Sequence, residues 1–157
     1  MSGDPVVYLV AGEPSGDALG GPLMAALKEK TGGRVGFAGV GGEAMTAQGL
    51  HSLFPMSDLT LMGAAEIIPH LPNLLRRLRE TAADIRRVRP NVVVTIDAPD
   101  FNFRLVKRLK GAGIPVVHYV APSVWAWRPG RAKKLALRAF LFLNMDMAFR
   151  SFPINLC

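Results

Sequence analysis

The chain alternates short, unbroken apolar runs with stretches in which apolar residues recur every three or four positions. Val6 to Ala11 and Asn91 to Ile96 are continuous runs rich in β-branched residues, the pattern of strands buried on both faces. Val35 to Val40 and Pro115 to Val120 read as two further strands, and His51 to Phe54 as a short one between them. Asp17 to Lys30 carries Leu19, Leu23, Ala26 and Leu27 at helical spacing and is closed by Thr31-Gly32-Gly33. A short helix is predicted through Met45 and Gln48. From Pro72, suited to a first turn, Leu74, Leu78, Ile85 and Val88 form a core-facing stripe that Pro90 ends. Helices are also expected from about Phe101 to Lys110 and from about Gly130 to Arg138. Strands alternating with helices in this way predict an α/β domain, a Rossmann-like parallel sheet with helices on both faces.

The 157 residues fit one such domain, and with half of them hydrophobic and a fifth charged the chain can bury a proper core. Its single cysteine, Cys157, excludes a disulfide framework and a cysteine-based metal site and suits a reducing compartment. No basic segment followed by a long apolar stretch opens the chain, and no apolar run is long enough to span a bilayer. These features predict a cytoplasmic protein, or one attached to a membrane only at its surface.

The net charge of +7 is unevenly spread. Residues 1–75 carry three basic residues against seven acids, whereas 76–89 hold six arginines against Glu80 and Asp84, and 104–138 hold nine basic residues and no acid. Such asymmetry points to an anionic partner or to solvated helix faces. Beside the arginines, residues 59–71 are unusually apolar for a connection. Ile67, Ile68 and Leu71 with Arg76, Arg77 and Arg79 would make a membrane-surface patch; a buried contact between domains is the other reading.

Three turns carry candidate chemistry. Ala11-Gly12-Glu13-Pro14-Ser15-Gly16-Asp17 leaves the first strand with a carboxylate on each side. A bare glycine turn at a helix start cradles anions. Here Glu13 and Asp17 would repel a phosphate, so the turn suits hydroxyl groups such as those of a sugar; equally, Ser15 is an N-cap and Asp17 a stabilising first-turn acid. Gly39-Val40-Gly41-Gly42 approaches a dinucleotide fingerprint, but the full pattern fails and the turn follows the second strand, against a nicotinamide or flavin site. The run to Ile96 delivers Asp97-Ala98-Pro99-Asp100 to the carboxyl edge of the sheet, where open α/β sheets bind ligands. Asp100 reads as the N-cap of the next helix, which leaves Asp97 as the candidate base. His118 lies inside a strand and reads as structural. In Ala121-Pro122-Ser123-Val124-Trp125-Ala126-Trp127-Arg128, serine, aromatic and arginine suit a sugar ring or a phosphorylated ligand, one indole going to the core.

Taken with Leu61-Met62-Gly63-Ala64-Ala65-Glu66, Ile96 to Asn102 and His118 to Arg128, the first turn makes four motifs in order, and together they closely resemble the lipid-A-disaccharide synthase family over residues 5 to about 137. The resemblance implies the N-terminal half of a GT-B architecture and an inverting glycosyltransferase of lipid A biosynthesis. Such an enzyme moves 2,3-diacylglucosamine from its UDP-linked form to 2,3-diacylglucosamine 1-phosphate, giving a β-1,6-linked disaccharide and UDP at the inner face of the bacterial cytoplasmic membrane. It also implies Asp97 as catalytic base, Glu13, Ser15 and Asp17 near the acceptor sugar, Ser123 and Trp127 on substrate, and Arg128 and Arg131 on anionic groups. The expected partners are the two sugar substrates and an anionic membrane surface, with no nucleic acid, no metal and no cofactor. Residues 138–157 do not resemble the family's continuation, so the expected organisation is an acceptor-side domain over 1–137, an atypical tail, and no donor domain. A chain so organised is expected to be inactive alone; a non-catalytic module that grips an acylated sugar phosphate is the alternative.

Overall fold

The computed structural model describes residues 3–60 and 67–119, with side chains of 67–70 outside that description. Nine elements follow in order among these residues: β1 (Val6–Ala11), α1 (Pro14–Thr31), β2 (Gly36–Val40), α2 (Glu43–Ala47), α3 (Ser57–Thr60), α4 (Ile67–Val88), β3 (Val92–Ile96), α5 (Pro99–Arg108) and β4 (Val116–Tyr119). The strands form one parallel sheet in the order β2-β1-β3-β4.

Because side chains alternate across a strand, β1 feeds two cores at once. Tyr8 and Val10 pack with Leu74, Leu78, Ile85 and Leu105, under α4 and α5. Val7, Leu9 and Ala11 pack with Met24, Met45 and Leu50, under α1 and α2. The result is the Rossmann-like α/β arrangement of a sheet covered on both faces. The arginine-flanked stripe of α4 faces the core as its spacing predicts: Leu74, Leu78 and Ile85 are buried and Val88 packs against them.

The buried Tyr8 hydroxyl donates to Asp84 at 2.8 Å, and burial first, then that bond, pushes the phenol far above its ordinary pKa. Tyr8 is therefore a neutral donor in this site, and Asp84 also takes the guanidinium of Arg87.

Four local expectations need correction. Residues 51–54 form no strand; a single bridge joins Ser52 to Gly39, and the Ser52 hydroxyl is spent on the carbonyl of Phe54. The second long helix begins at Ile67 rather than Pro72, which lies inside it, so part of the apolar 59–71 stretch is helical. The first helix starts at Pro14 with Glu13 in the capping position, so Ser15 is not the N-cap. Likewise α5 starts at Pro99 behind Ala98, and Asp100 is a first-turn acid rather than a cap. In both helices the proline fixes the first turn, and its position outweighs the side-chain capping preference one or two residues later.

Candidate active site

β1 and β3 are neighbours, yet the chain leaves β1 towards β2 on one side and reaches β3 on the other. That is a topological switch point, where the loops diverge and open a crevice at the carboxyl edge. The register pairs Ala11 with Ile96, so the next residues of each strand, Gly12-Glu13 and Asp97-Ala98, meet at this crevice.

The two turns approach so closely that Gly12 has no room for a side chain and Gly16 little. A Cβ on Gly12 would sit 2.4 Å from the Cβ of Ala98, and one on Gly16 would come within 3.3 Å of the Cβ of Asp97. Thr60 fastens the same turn by donating its hydroxyl to the carbonyl of Gly12 at 3.0 Å. Asp97 and Ala98 both take left-handed backbone angles, φ 55° and 41°, conformations that residues with a Cβ rarely adopt. Such strain persists only where the surroundings hold it. Here Ser15 donates its hydroxyl to one oxygen of Asp97, and the Ala98 N–H donates to the other at 3.0 Å. Beneath them the buried amide of Asn102 donates to the carbonyl of Asp97 at 2.6 Å.

Glu13 stands beside this pair, half-buried. Burial first, and then the charge of Asp97, push its carboxyl above the ordinary value. His118 pairs with Thr95 across β3 and β4: its Nδ1 lies 2.8 Å from the Thr95 hydroxyl, and its ring lies against Phe103. Burial pushes its pKa down, partly offset by Asp97, so it is a neutral partner of the sheet, as its place in a strand implies.

Asp17 has a different fate. It is buried, and its carboxylate accepts the N–H groups of Gly42 (2.8 Å), Ala44 (2.9 Å) and Met45 (3.1 Å) at the start of α2. Asp17 thus joins α1 to α2. In the Gly41-Gly42 turn the Gly42 N–H goes to Asp17 and the Gly41 N–H to the Ser52 hydroxyl at 3.2 Å, so a phosphate there would have to displace partners from within the chain. An open cleft of about 700 Å³ lies outside this turn, between Pro14, Thr46 and Met56.

Arg77 also departs from expectation. It pairs with Asp58 through Nε at 2.8 Å and with Glu80 at 2.7 Å, and its guanidinium lies 4.4 Å over the ring of Phe54. It ties α4 to α3 and is not free to meet a membrane phosphate. Leu71, Arg76 and Arg79 are exposed. The helix that joins two parallel strands runs back against them, so the first turns of α4 begin at the same sheet edge as Asp97. The side chains of Ile67 and Ile68, and Ser123, Trp127, Arg128 and Arg131, lie outside the described residues, as do the expected 130–138 helix and the tail.

Sequence reasoning gave roles to Glu13, Ser15 and Asp97, which the fold brings together, and none to Gly12, Gly16, Thr60 or Asn102, which hold them. The glycine pair was visible as a spacing of four across a strand-to-helix turn and Asn102 as the last residue of the Ile96–Asn102 motif; Thr60 carried no such signal. Among the described residues, no three His, Cys, Asp or Glu side chains converge as a metal set.

A family model described as lipid-A-disaccharide synthetase matches residues 7–144. The chain belongs to this family. The match runs past Leu137, where the motif resemblance gives out. Among curated relatives, the chain is 60% identical to the lipid-A-disaccharide synthase of Rhodospirillum centenum over 133 residues, 83% of this chain and 33% of that protein. It is 55% identical to the synthase of Paramagnetospirillum magneticum over 142 residues, 89% of this chain and 36% of the relative. Against the Alcanivorax borkumensis synthase the identity is 49% over 141 residues, 90% and 37% of the two chains. The chain thus spans about a third of the length of the curated relatives it matches.

Proposed function

We propose that residues 1–137 form the acceptor-side unit of an inverting glycosyltransferase that makes the lipid A disaccharide, with Asp97 as its general base. The observation that carries this reading is the Asp97 carboxylate, held at the switch-point crevice by Ser15 and the Ala98 N–H and half-open to solvent. The donor is UDP-linked 2,3-diacylglucosamine and the acceptor is 2,3-diacylglucosamine 1-phosphate. Inversion needs a base that takes the proton of the acceptor 6-hydroxyl while its oxygen attacks the anomeric carbon from the face opposite UDP. The C–O bond to UDP breaks as the new one forms, and UDP leaves with the electron pair.

Glu13 lies beside the base and is placed to accept a hydrogen bond from another sugar hydroxyl; its tendency to hold a proton lowers the repulsion between the two carboxylates. Ser15 orients Asp97 and can shift its hydroxyl onto the incoming sugar. Ser123, Trp127, Arg128 and Arg131 complete the substrate contacts by family resemblance. Leu71, Arg76 and Arg79, with Ile67 and Ile68, dock this edge on anionic lipid, which brings acylated sugars to the crevice from the cytoplasmic leaflet. Among the described residues no helix is long and apolar enough to cross a membrane, and attachment by a surface patch needs none.

The test joins residues 1–137 to the remaining two thirds of the R. centenum synthase and supplies both sugars. Disaccharide and UDP in equal amounts support the reading, with product lost and acceptor binding kept in Asp97→Asn. Acceptor binding with no product from the unsubstituted chimera, whose donor part is active in its parent, would favour the non-catalytic module.

A further inference from the structure

We propose that Asn102 is a positioning residue for Asp97: its amide nitrogen holds the left-handed Asp97–Ala98 turn and so sets where the carboxylate projects. The inference rests on the reading of Asp97 as the base. Asn102 is fully buried in the first turns of α5, and its Nδ2 donates to the carbonyls of both Asp97 (2.6 Å) and Ile96 (3.4 Å). Its backbone N–H bonds to the carbonyl of Ala98 at 3.0 Å, so one residue grips the turn at three successive carbonyls. Meanwhile its Oδ1 has no hydrogen-bond partner among the described residues.

The position matters because the other hold on this turn is the carboxylate itself. Asp97 Oδ1 accepts the Ala98 N–H, and Oδ2 accepts the Ser15 hydroxyl. Both bonds weaken when the carboxylate takes up a proton or turns towards a sugar hydroxyl, at the moment the geometry is needed. The Asn102 bonds run to main-chain carbonyls and do not change with the state of the carboxylate. They keep two strained residues in place while the side chain works.

The experiment uses N102A and N102D, with D97N as reference. Its crystallographic arm takes this chain as it stands; its kinetic arm takes the chimera described above. In N102A the Asp97–Ala98 backbone should leave the left-handed region, and kcat should fall about tenfold to a hundredfold with KM for either sugar changed less than about threefold. N102D keeps the volume and removes both donors while ionised, and it regains one donor when protonated. Its kcat relative to the unsubstituted chimera should therefore recover as pH is lowered, while that of N102A stays flat; folded fractions are measured by circular dichroism at each pH. Should N102A not fold, N102D carries both arms. A turn that stays left-handed, a kcat that stays within about twofold, or a loss confined to KM overturns the proposal. Full turnover by D97N sinks the base reading separately, and the crystallographic arm still decides whether Asn102 holds the turn.

Discussion

Asp17, in the first turn of α1, and Asp97, directly after β3, are both carboxylates beside strand-to-helix turns, and the fold treats them in opposite ways. Asp17 is buried and accepts three backbone N–H groups of α2. Asp97 is partly exposed, accepts one hydroxyl and one N–H of its own turn, sits on a strained backbone and faces a second carboxyl, Glu13. A carboxylate that takes three main-chain N–H groups acts as a fastening between two elements. One held by a rotatable hydroxyl at a switch point keeps capacity for a ligand. Partners and backbone, more than residue type or motif, separate the two roles.

The contrast can be broken first at Asp97. In an active chimera, Asp97→Asn should lower turnover by about 10² to 10⁴-fold and leave the melting temperature nearly unchanged, since the amide keeps the shape. Asp17→Ala should do the reverse: unpairing the α2 start should cost about 3 kcal/mol, a fall of roughly 6–12 °C by thermal melt. Comparable turnover losses in both, after correction for folded fraction, would erase the distinction. Gly12→Ala sharpens it further. A methyl 2.4 Å from Ala98 must push the two turns apart, costing about 1–3 kcal/mol and most of the activity.

The arginines of α4 repeat the contrast on the surface. Arg77→Met should cost about 1 kcal/mol in stability by losing Asp58, Glu80 and the face of Phe54. Exposed Arg76→Ala and Arg79→Ala should each weaken binding to anionic vesicles about fivefold and leave stability alone. Co-sedimentation with vesicles and thermal melts, run on the same samples, separate the two effects.

The smallest effect belongs to Glu13. The fold raises its pKa, so the protonated form suits the folded state better: this contribution is fully present below the ordinary carboxylate range and is lost as pH rises through the raised value. Glu13→Gln should therefore raise stability at pH 7 by less than about 1 kcal/mol, an amount kept small by solvent screening, and the gain should vanish in acid. A gain that grows as pH falls would contradict the stated cause.

Hydrophobic periodicity made the sheet and its two covers legible, because continuous runs such as Val92–Ile96 and the 74–78–85 stripe are direct records of burial. Helix starts were misread at Pro14, Ile67 and Pro99, where a proline or tertiary packing overrode local capping signals. At the carboxyl edge, the end of a buried strand marked Asp97 as the candidate base, and the fold leaves its carboxylate partly exposed there. The ties of Asp17 to Gly42 through Met45 and of Arg77 to Asp58 were not readable, since those partners are distant in sequence and invisible to spacing. Asn102 stood in the Ile96–Asn102 motif, but its role could not be read there: what matters is the carbonyls it faces, and carbonyls leave no mark in a sequence.

The most direct test is a crystal structure with 2,3-diacylglucosamine 1-phosphate bound. The account predicts the sugar 6-hydroxyl oxygen within roughly 2.6–3.2 Å of an Asp97 carboxylate oxygen, with Asp17 still on its three amides. A 6-hydroxyl lodged in the cleft beside Thr46 and Met56, beyond reach of Asp97, would contradict it.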